Sequence, residues 1–171
     1  EKCYNKFEGL MRRNHIAEAI GFHMYIYGGI NEENEFLSDS LILDMNTFRW
    51  LKIQTKGEKP GPLAYMSSCL VLIPERRQYD NLSIYKLPEL SKNSDKKIKY
   101  EGVYLFGGVN ERNEVTNELQ ILRVGKKPPV WVKTGNLING TPPDARYGCS
   151  MDYYDEMSWV IIHGGKNDKS G

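Results

Sequence analysis

Three times this chain drives a short apolar run into a pair of glycines. Tyr25–Gly29 reads YIYGG, Tyr104–Gly108 reads YLFGG and Val160–Gly165 reads VIIHGG. A motif that recurs constrains a fold more tightly than any local propensity, because equivalent segments must share one structure. The pairs start at 28, 107 and 164, gaps of 79 and 57 residues. Without the 25 residues 75–99, an odd polar stretch, the first gap shortens to 54.

The match extends to both sides of the glycines. Ser38 lies nine residues past Gly29 and Asn117 nine past Gly108, while Leu43 and Leu122 both lie fourteen past. Trp50 and Trp131 follow at 21 and 23, the difference being a small insertion with Pro128 and Pro129. Each unit holds four short segments, as in AYMSSCLVLI, GVYLFGG, NELQILRV and VWVKTG of the second. Such runs, rich in β-branched and aromatic residues and bounded by Gly, Pro and Asn, predict strands. Val115, Leu119 and Leu122 also fit a helical spacing. The equivalent SDSLILDM is a poor helix, so the repeat favours a strand at both places. A glycine lets another backbone approach closely, so two in succession predict a crowded junction between neighbouring sheets, with the tryptophans as wedges.

Composition excludes more than it assigns. A length of 171 residues suits one domain with a core, and 23 basic against 22 acidic residues give a net charge of +1. That balance supplies no electrostatic case for nucleic acid or an anionic membrane. No stretch is long and apolar enough to span a bilayer, and the start EKCYNKFEGL has no signal-peptide core. Cys3, Cys69 and Cys149 form neither a CxxC nor an even framework, which points to a reducing compartment and buried, inert thiols at Cys69 and Cys149. Two glycosylation-type triplets, at Asn81 and Asn139, carry little weight.

A diglycine after an apolar strand, then an Asn-Asp-Leu-like start and a tryptophan, resembles the kelch repeat of the galactose-oxidase central-domain-like superfamily. SDSLILDMNTFRW and NELQILRV…W look like that family's third and fourth strands, and PPDARYGCS and RRNHIA like its opening. The resemblance covers nearly everything except residues 75–99. It implies an all-β fold: a fragment of a kelch-type β-propeller made of four-stranded antiparallel blades of about 50 residues, in a propeller of about 4–8 blades. Residues 1–11 would end a preceding blade, 12–57 form the first blade, 58–140 the second with its insert, and 141–171 the first half of a third. A chain that starts and stops inside blades is expected to be a piece of a longer one, with the rest of its own propeller as a partner. In this alignment Tyr65 takes the place of the opening arginine in the second unit. His15 keeps a family histidine that Ser68 and Cys149 replace, Ser40 stands for the leucine retained as Leu119, and Arg123 for the aspartate retained as Asp44.

The residues that could carry chemistry argue mostly against it. His15, His23 and His163 have no metal-ligand spacing and read as structural histidines in strands. The carboxylates of NEENE and DYYDE read as solvated turns, and no nucleophile elbow, P-loop or dinucleotide fingerprint is present. No catalytic residue, metal, cofactor or small-molecule substrate is therefore predicted. By the kelch resemblance, loops joining successive blades cluster at one end of the channel. That points to Arg12 and Arg146, to Tyr65 at the substituted place, and to Asn31 and Asn110 on the second-to-third-strand loops. An arginine fork suits a carboxylate of a protein ligand; alternatively these side chains hold inter-blade hydrogen bonds.

The insert 75–99 carries seven basic and four acidic residues. Its second half has a disordered composition, and its first half keeps Leu82, Ile84, Tyr85, Leu87 and Leu90, fitting either a locally packed extension of the hairpin or a docking arm. The expected role is a non-enzymatic protein–protein interaction or scaffold module in the cytoplasm. The alternatives are the regulatory propeller of a multidomain enzyme, such as a kelch-type phosphoprotein phosphatase or a ubiquitin-ligase adaptor, and a cytoskeletal or ciliary scaffold.

Overall fold

A computed structural model describes residues 10–72, 101–135 and 140–167. The tail 1–9, the insert 75–99 and both glycosylation-type asparagines lie outside them. The described residues are all β, in sheets of two to five strands that are antiparallel except for one parallel edge pairing. The first unit contributes β1 (Ile16–Ile20), β2 (His23–Tyr27), β3 (Ser40–Asp44) and β4 (Arg49–Lys52), hydrogen-bonded in that order. The connection carries β5 (Lys56–Gly57) and β6 (Leu63–Ala64). The second unit repeats the order with β7 (Ser67–Val71), β8 (Gly102–Phe106), β10 (Leu119–Arg123) and β11 (Val130–Lys133), while β9 (Val109–Asn110) pairs with β6. The third unit is a hairpin of β12 (Tyr147–Tyr154) and β13 (Trp159–Lys166). The segments at 40–44 and 119–123 are strands, as the repeat requires and against the helical spacing at Val115, Leu119 and Leu122.

Burial follows position in the sheet. β3 is a central strand covered on both faces, so Leu41, Ile42 and Leu43 are buried in succession. On β7 the residues alternate between buried (Ser67, Cys69, Val71) and half-buried (Ser68, Leu70), as the pleat dictates. β7 lies against β1 on one side and β12 on the other, so the first strands of three successive units stand side by side. Ser68 Oγ donates to Glu18 Oε1 at 2.6 Å across the first of these contacts. β5 adds a parallel edge strand to the outer side of the second sheet, so the connection ties the units together before it crosses to β7. Val71 pairs with Gly102 at the end of the second unit's first hairpin, the place where Gly21 and Phe22 turn the chain in the first unit.

The core sits between sheets. Its central cluster joins Ile16, Ile20 and Tyr27 of the first unit to Met66, Val103, Leu105, Leu122 and Trp131 of the second. Trp131, 2% exposed, meets the Tyr27 ring edge-on at 4.9 Å. The Tyr27 hydroxyl donates to the carbonyls of Pro60 (2.6 Å) and Gly61 (2.9 Å) in the connection. Burial, with Asp39 adding to it, pushes the Tyr27 phenol well above its ordinary value.

The diglycines have two separate steric reasons. A Cβ on Gly28 would lie 2.5 Å from the Leu63 carbonyl oxygen, and one on Gly107 2.2 Å from that of Arg146, both in the next unit. A Cβ on Gly29, Gly108 or Gly165 would crowd the carbonyl of Arg13, Ala64 or Tyr147, each in the opening of its own unit. All six glycines have positive φ. Gly164, which no further described unit follows, meets nothing within 4 Å.

Candidate functional site at the rim of the repeats

The opening segments and the second-to-third-strand loops gather at the diglycine end of the sheets. Strand register fixes which residues correspond. Ile16 pairs with Tyr27, Ser67 with Phe106 and Ser150 with His163, each partner directly preceding its diglycine. Counting back four residues puts Arg12, Leu63 and Arg146 in one row, and counting back two puts Asn14, Tyr65 and Gly148 in another. This corrects the alignment of the second opening by two residues. Leu63, and not Tyr65, replaces the arginine, and Met66, not Ser68, takes the place of His15 and Cys149.

The second row is a backbone chain running from unit to unit. The Tyr65 N–H donates to the Asn14 carbonyl at 3.0 Å, and the Gly148 N–H to the Tyr65 carbonyl at 2.9 Å. All three residues have left-handed φ, of 57°, 57° and 62°. Asn and Gly tolerate this conformation; a tyrosine there is strained, and such strain collects at functional positions. Tyr65 is 41% exposed and meets the half-buried Tyr147 ring edge-on at 6.0 Å, so an aromatic pair sits on the rim.

Arg12 is anchored inward. It grips Asp39 through two hydrogen bonds of 2.7 and 3.0 Å and donates to the Gly28 carbonyl at 3.1 Å, with its side chain 2% exposed. Burial by itself would raise the Asp39 carboxyl; the Arg12 guanidinium outweighs it and holds the group below its ordinary value. Arg146 makes the equivalent bond to the Gly164 carbonyl at 3.1 Å and a second to the Asp144 carbonyl at 3.0 Å, and is half-buried. Asn31 and Asn110 are spent inside their loops. Each amide donates to a glutamate four residues on (Glu35, 2.9 Å; Glu114, 2.7 Å) and accepts that residue's backbone N–H. Beside them Arg13, exposed, donates to Asn34 Oδ1 and the Asn31 carbonyl.

Among the described residues no three His, Cys, Asp or Glu side chains cluster as metal ligands. His23 and His163 are exposed on their strands. His15 is half-buried, and burial, then the Arg12 charge, lowers its pKa. Burial pushes the Cys69 thiol up to about 12, with the carboxylates of Glu18 and Asp152 adding to it, so it stays protonated and unreactive. Cys149 is half-buried, its Sγ 2.6 Å from Ser67 Oγ.

Tyr147 and Asp39 escaped the sequence reading although both carry a positional signal. Tyr147 follows Arg146 directly, and Asp39 stands eleven residues past Gly28 just as Glu118 stands eleven past Gly107.

No family model matches the chain. Among curated proteins it is similar to acyl-CoA-binding domain-containing protein 5 of Arabidopsis thaliana, 23% identical over 189 residues. The alignment covers 91% of this chain and 28% of that protein, so the chain spans little more than a quarter of the relative's length.

Proposed function

We propose that the chain is a segment of a kelch-type β-propeller, two four-stranded blades and the first half of a third, serving as a non-enzymatic module that binds other proteins. The observation that carries the reading is the recurrence of one set of inter-unit backbone bonds. The Gly29 N–H donates to the Leu63 carbonyl and the Gly108 N–H to the Arg146 carbonyl, at 2.8 and 3.0 Å. The Leu63 N–H donates to Leu37 and the Arg146 N–H to Thr116, at 3.3 and 3.2 Å. A rule that attaches each unit to the next in the same way, with first strands side by side, is what radial repetition of sheets requires.

The binding surface in this reading is the rim. Tyr65 and Tyr147 form a partly exposed aromatic pair on the same rim as Arg13 and Arg146, a composition suited to a protein ligand. Arg12, Asn31 and Asn110 frame it and bind nothing directly. The cytoplasm remains the proposed location, with a cytoskeletal or ciliary setting as the variant. Among the described residues no helix is long and apolar enough to cross a membrane. A second reading, an accessory propeller within a multidomain protein, is favoured by the small share of the relative that the chain matches. The chain matches 28% of that relative, so the acyl-CoA binding in the relative's name is not carried over.

The test is capture of partners from a lysate with the full chain, comparing wild type with Tyr65→Ser plus Tyr147→Ser. Truncating two rim aromatics is expected to reduce recovery at least about tenfold with little change in thermal midpoint. Undiminished recovery removes the rim as the binding surface.

A further inference from the structure

The joint between the first two units has two unlike halves. The first unit contributes Ile16 and Ile20 of β1 and Tyr27 of β2, with Tyr25 packed against them. The second contributes Met66 from its opening, Val103 and Leu105 of β8, Leu122 of β10 and Trp131 of β11. The half that is covered therefore needs only the first two strands of a unit. The half that covers draws on the opening and the last three strands.

The third unit consists of those first two strands. Strand register puts Ser150 and Tyr154 in the rows of Ile16 and Ile20, and Ile161 and His163 in the rows of Tyr25 and Tyr27. In the second unit these rows hold Ser67, Val71 and Phe106, at most 7% exposed with β12 packed against β7. In the third, which no described unit follows, Tyr154 is 43% exposed and Ile161 48%. Trp159, the register partner of Tyr154, is 56% exposed on the same face. Such a patch on one face of a hairpin marks an interaction surface. The backbone beside it carries a second sign. At Gly28 and Gly107 a carbonyl of the following unit occupies the room a Cβ would take, and at Gly164 the same room meets nothing within 4 Å.

The complementary half lies on the far side of the first unit. His15, Met24, Ile26, Leu43 and Trp50 stand in the rows of Met66, Val103, Leu105, Leu122 and Trp131. Met24 and Trp50 are half-buried there, whereas Val103 is 0% and Trp131 2% exposed in the second unit. One molecule thus presents both halves of a joint that it already makes twice internally.

We infer that the third-unit hairpin seats the first unit of a second copy of this chain, head to tail. Strand register brings the Arg12 carbonyl of the second copy to Gly164 and Gly165, the place that Leu63 and Arg146 take at the two internal joints. The two halves differ, so the contact is heterologous and builds a ring or an open row. Ser150, Asp152 and His163, all exposed, make this face more polar than its sisters, which suits a reversible contact. The inference rests on the unit-to-unit rule of the proposed function and names a partner for it.

The test is sedimentation velocity of the full chain from low to high micromolar concentration, where the average mass is expected to rise above that of one chain. Ile161→Asp and Gly164→Ala alter only the covered half, and Met24→Asp only the covering half. Each is expected to weaken association at least about tenfold. Mixed Gly164→Ala and Met24→Asp chains keep one working half of each kind and should stop at a one-to-one pair. Trp50→Ser replaces Met24→Asp if the latter lowers the thermal midpoint. Tyr65→Ser plus Tyr147→Ser should associate like the wild type, so the rim reading and this one fail separately. A single-chain mass throughout, association unchanged in Ile161→Asp or Gly164→Ala, a mixture that does not pair, or association lost in the rim variant overturns the proposal.

Discussion

If the core lies between units and not within them, a single aromatic contact should govern cooperativity of the whole chain. Trp131 is the place to test this. It is 2% exposed and meets Tyr27 of the preceding unit at 4.9 Å, and both belong to the one buried cluster that spans the two sheets. Trp131→Ala removes a fully buried indole, a change that costs about 3–5 kcal/mol with its cavity. The ring–ring contact accounts for about 0.5–1.5 kcal/mol of that. For a chain of this size each kcal/mol moves the thermal midpoint by roughly 2–4 °C, so a fall of roughly 6–20 °C is expected. Urea unfolding of wild type, Trp131→Ala, Tyr27→Leu and the double variant should give a coupling energy of about 1 kcal/mol, because the two side chains touch. Trp50 serves as the internal control. It holds the same register in the first unit, Leu43 pairing with Trp50 as Leu122 pairs with Trp131, yet it is only half-buried, with no earlier unit described beside it. Trp50→Ala should therefore cost less than Trp131→Ala. Equal costs at the two positions, or zero coupling between Tyr27 and Trp131, would refute the placement of the core between units.

Two further outcomes follow from the rim and the glycine corners. Gly107→Ala puts a methyl group 2.2 Å from the Arg146 carbonyl at φ 68°, whereas Gly164→Ala carries only the left-handed backbone cost of about 1–2 kcal/mol. Gly107→Ala should destabilise this chain clearly more, and equal midpoints in urea would show that the steric reason is wrong. His15 binds its proton less well when folded, so the unfolded state takes up more protons and stability falls as pH drops through 6.5, the residue's ordinary value. His15→Met, copying Met66 of the second unit, should flatten the stability profile between about pH 7 and pH 5, above the range where the lowered Asp39 carboxyl titrates. An unaltered profile would assign the acid sensitivity to another group.

What the sequence disclosed and what it concealed divide along one physical line. The diglycines were legible because their cause is backbone against backbone: a carbonyl oxygen sits where a Cβ would be, whatever side chain the next unit carries. The strand at 119–123 was legible for the same reason, since its periodicity alone allowed a helix and only its sister segment excluded one. The rim was read two residues out of register in the second unit because its marker is gone. Leu63 erases the arginine, and Tyr65, two places on, looks like the exchange while it fills a left-handed position that Asn14 and Gly148 occupy without strain. Charge pairing was hidden for a related reason. Arg12 and Asp39 lie 27 residues apart, and only the fold makes one carboxylate, among the many in the loop, the partner. Departures from periodicity are thus where a repeat chain is hardest to read, and they are also where its units cease to be interchangeable. In this chain they include Leu63, Tyr65 and Gln120, an unbraced opening, a strained exposed aromatic and a buried amide whose oxygen has no partner among the described residues, all in the second unit and at the same end of its sheet. The first unit carries costs of the same kind, Phe48 left-handed and exposed at a turn and Ser40 Oγ buried without a partner among the described residues, so what the second unit's departures mark is where the two units differ, not which of them is the cheaper.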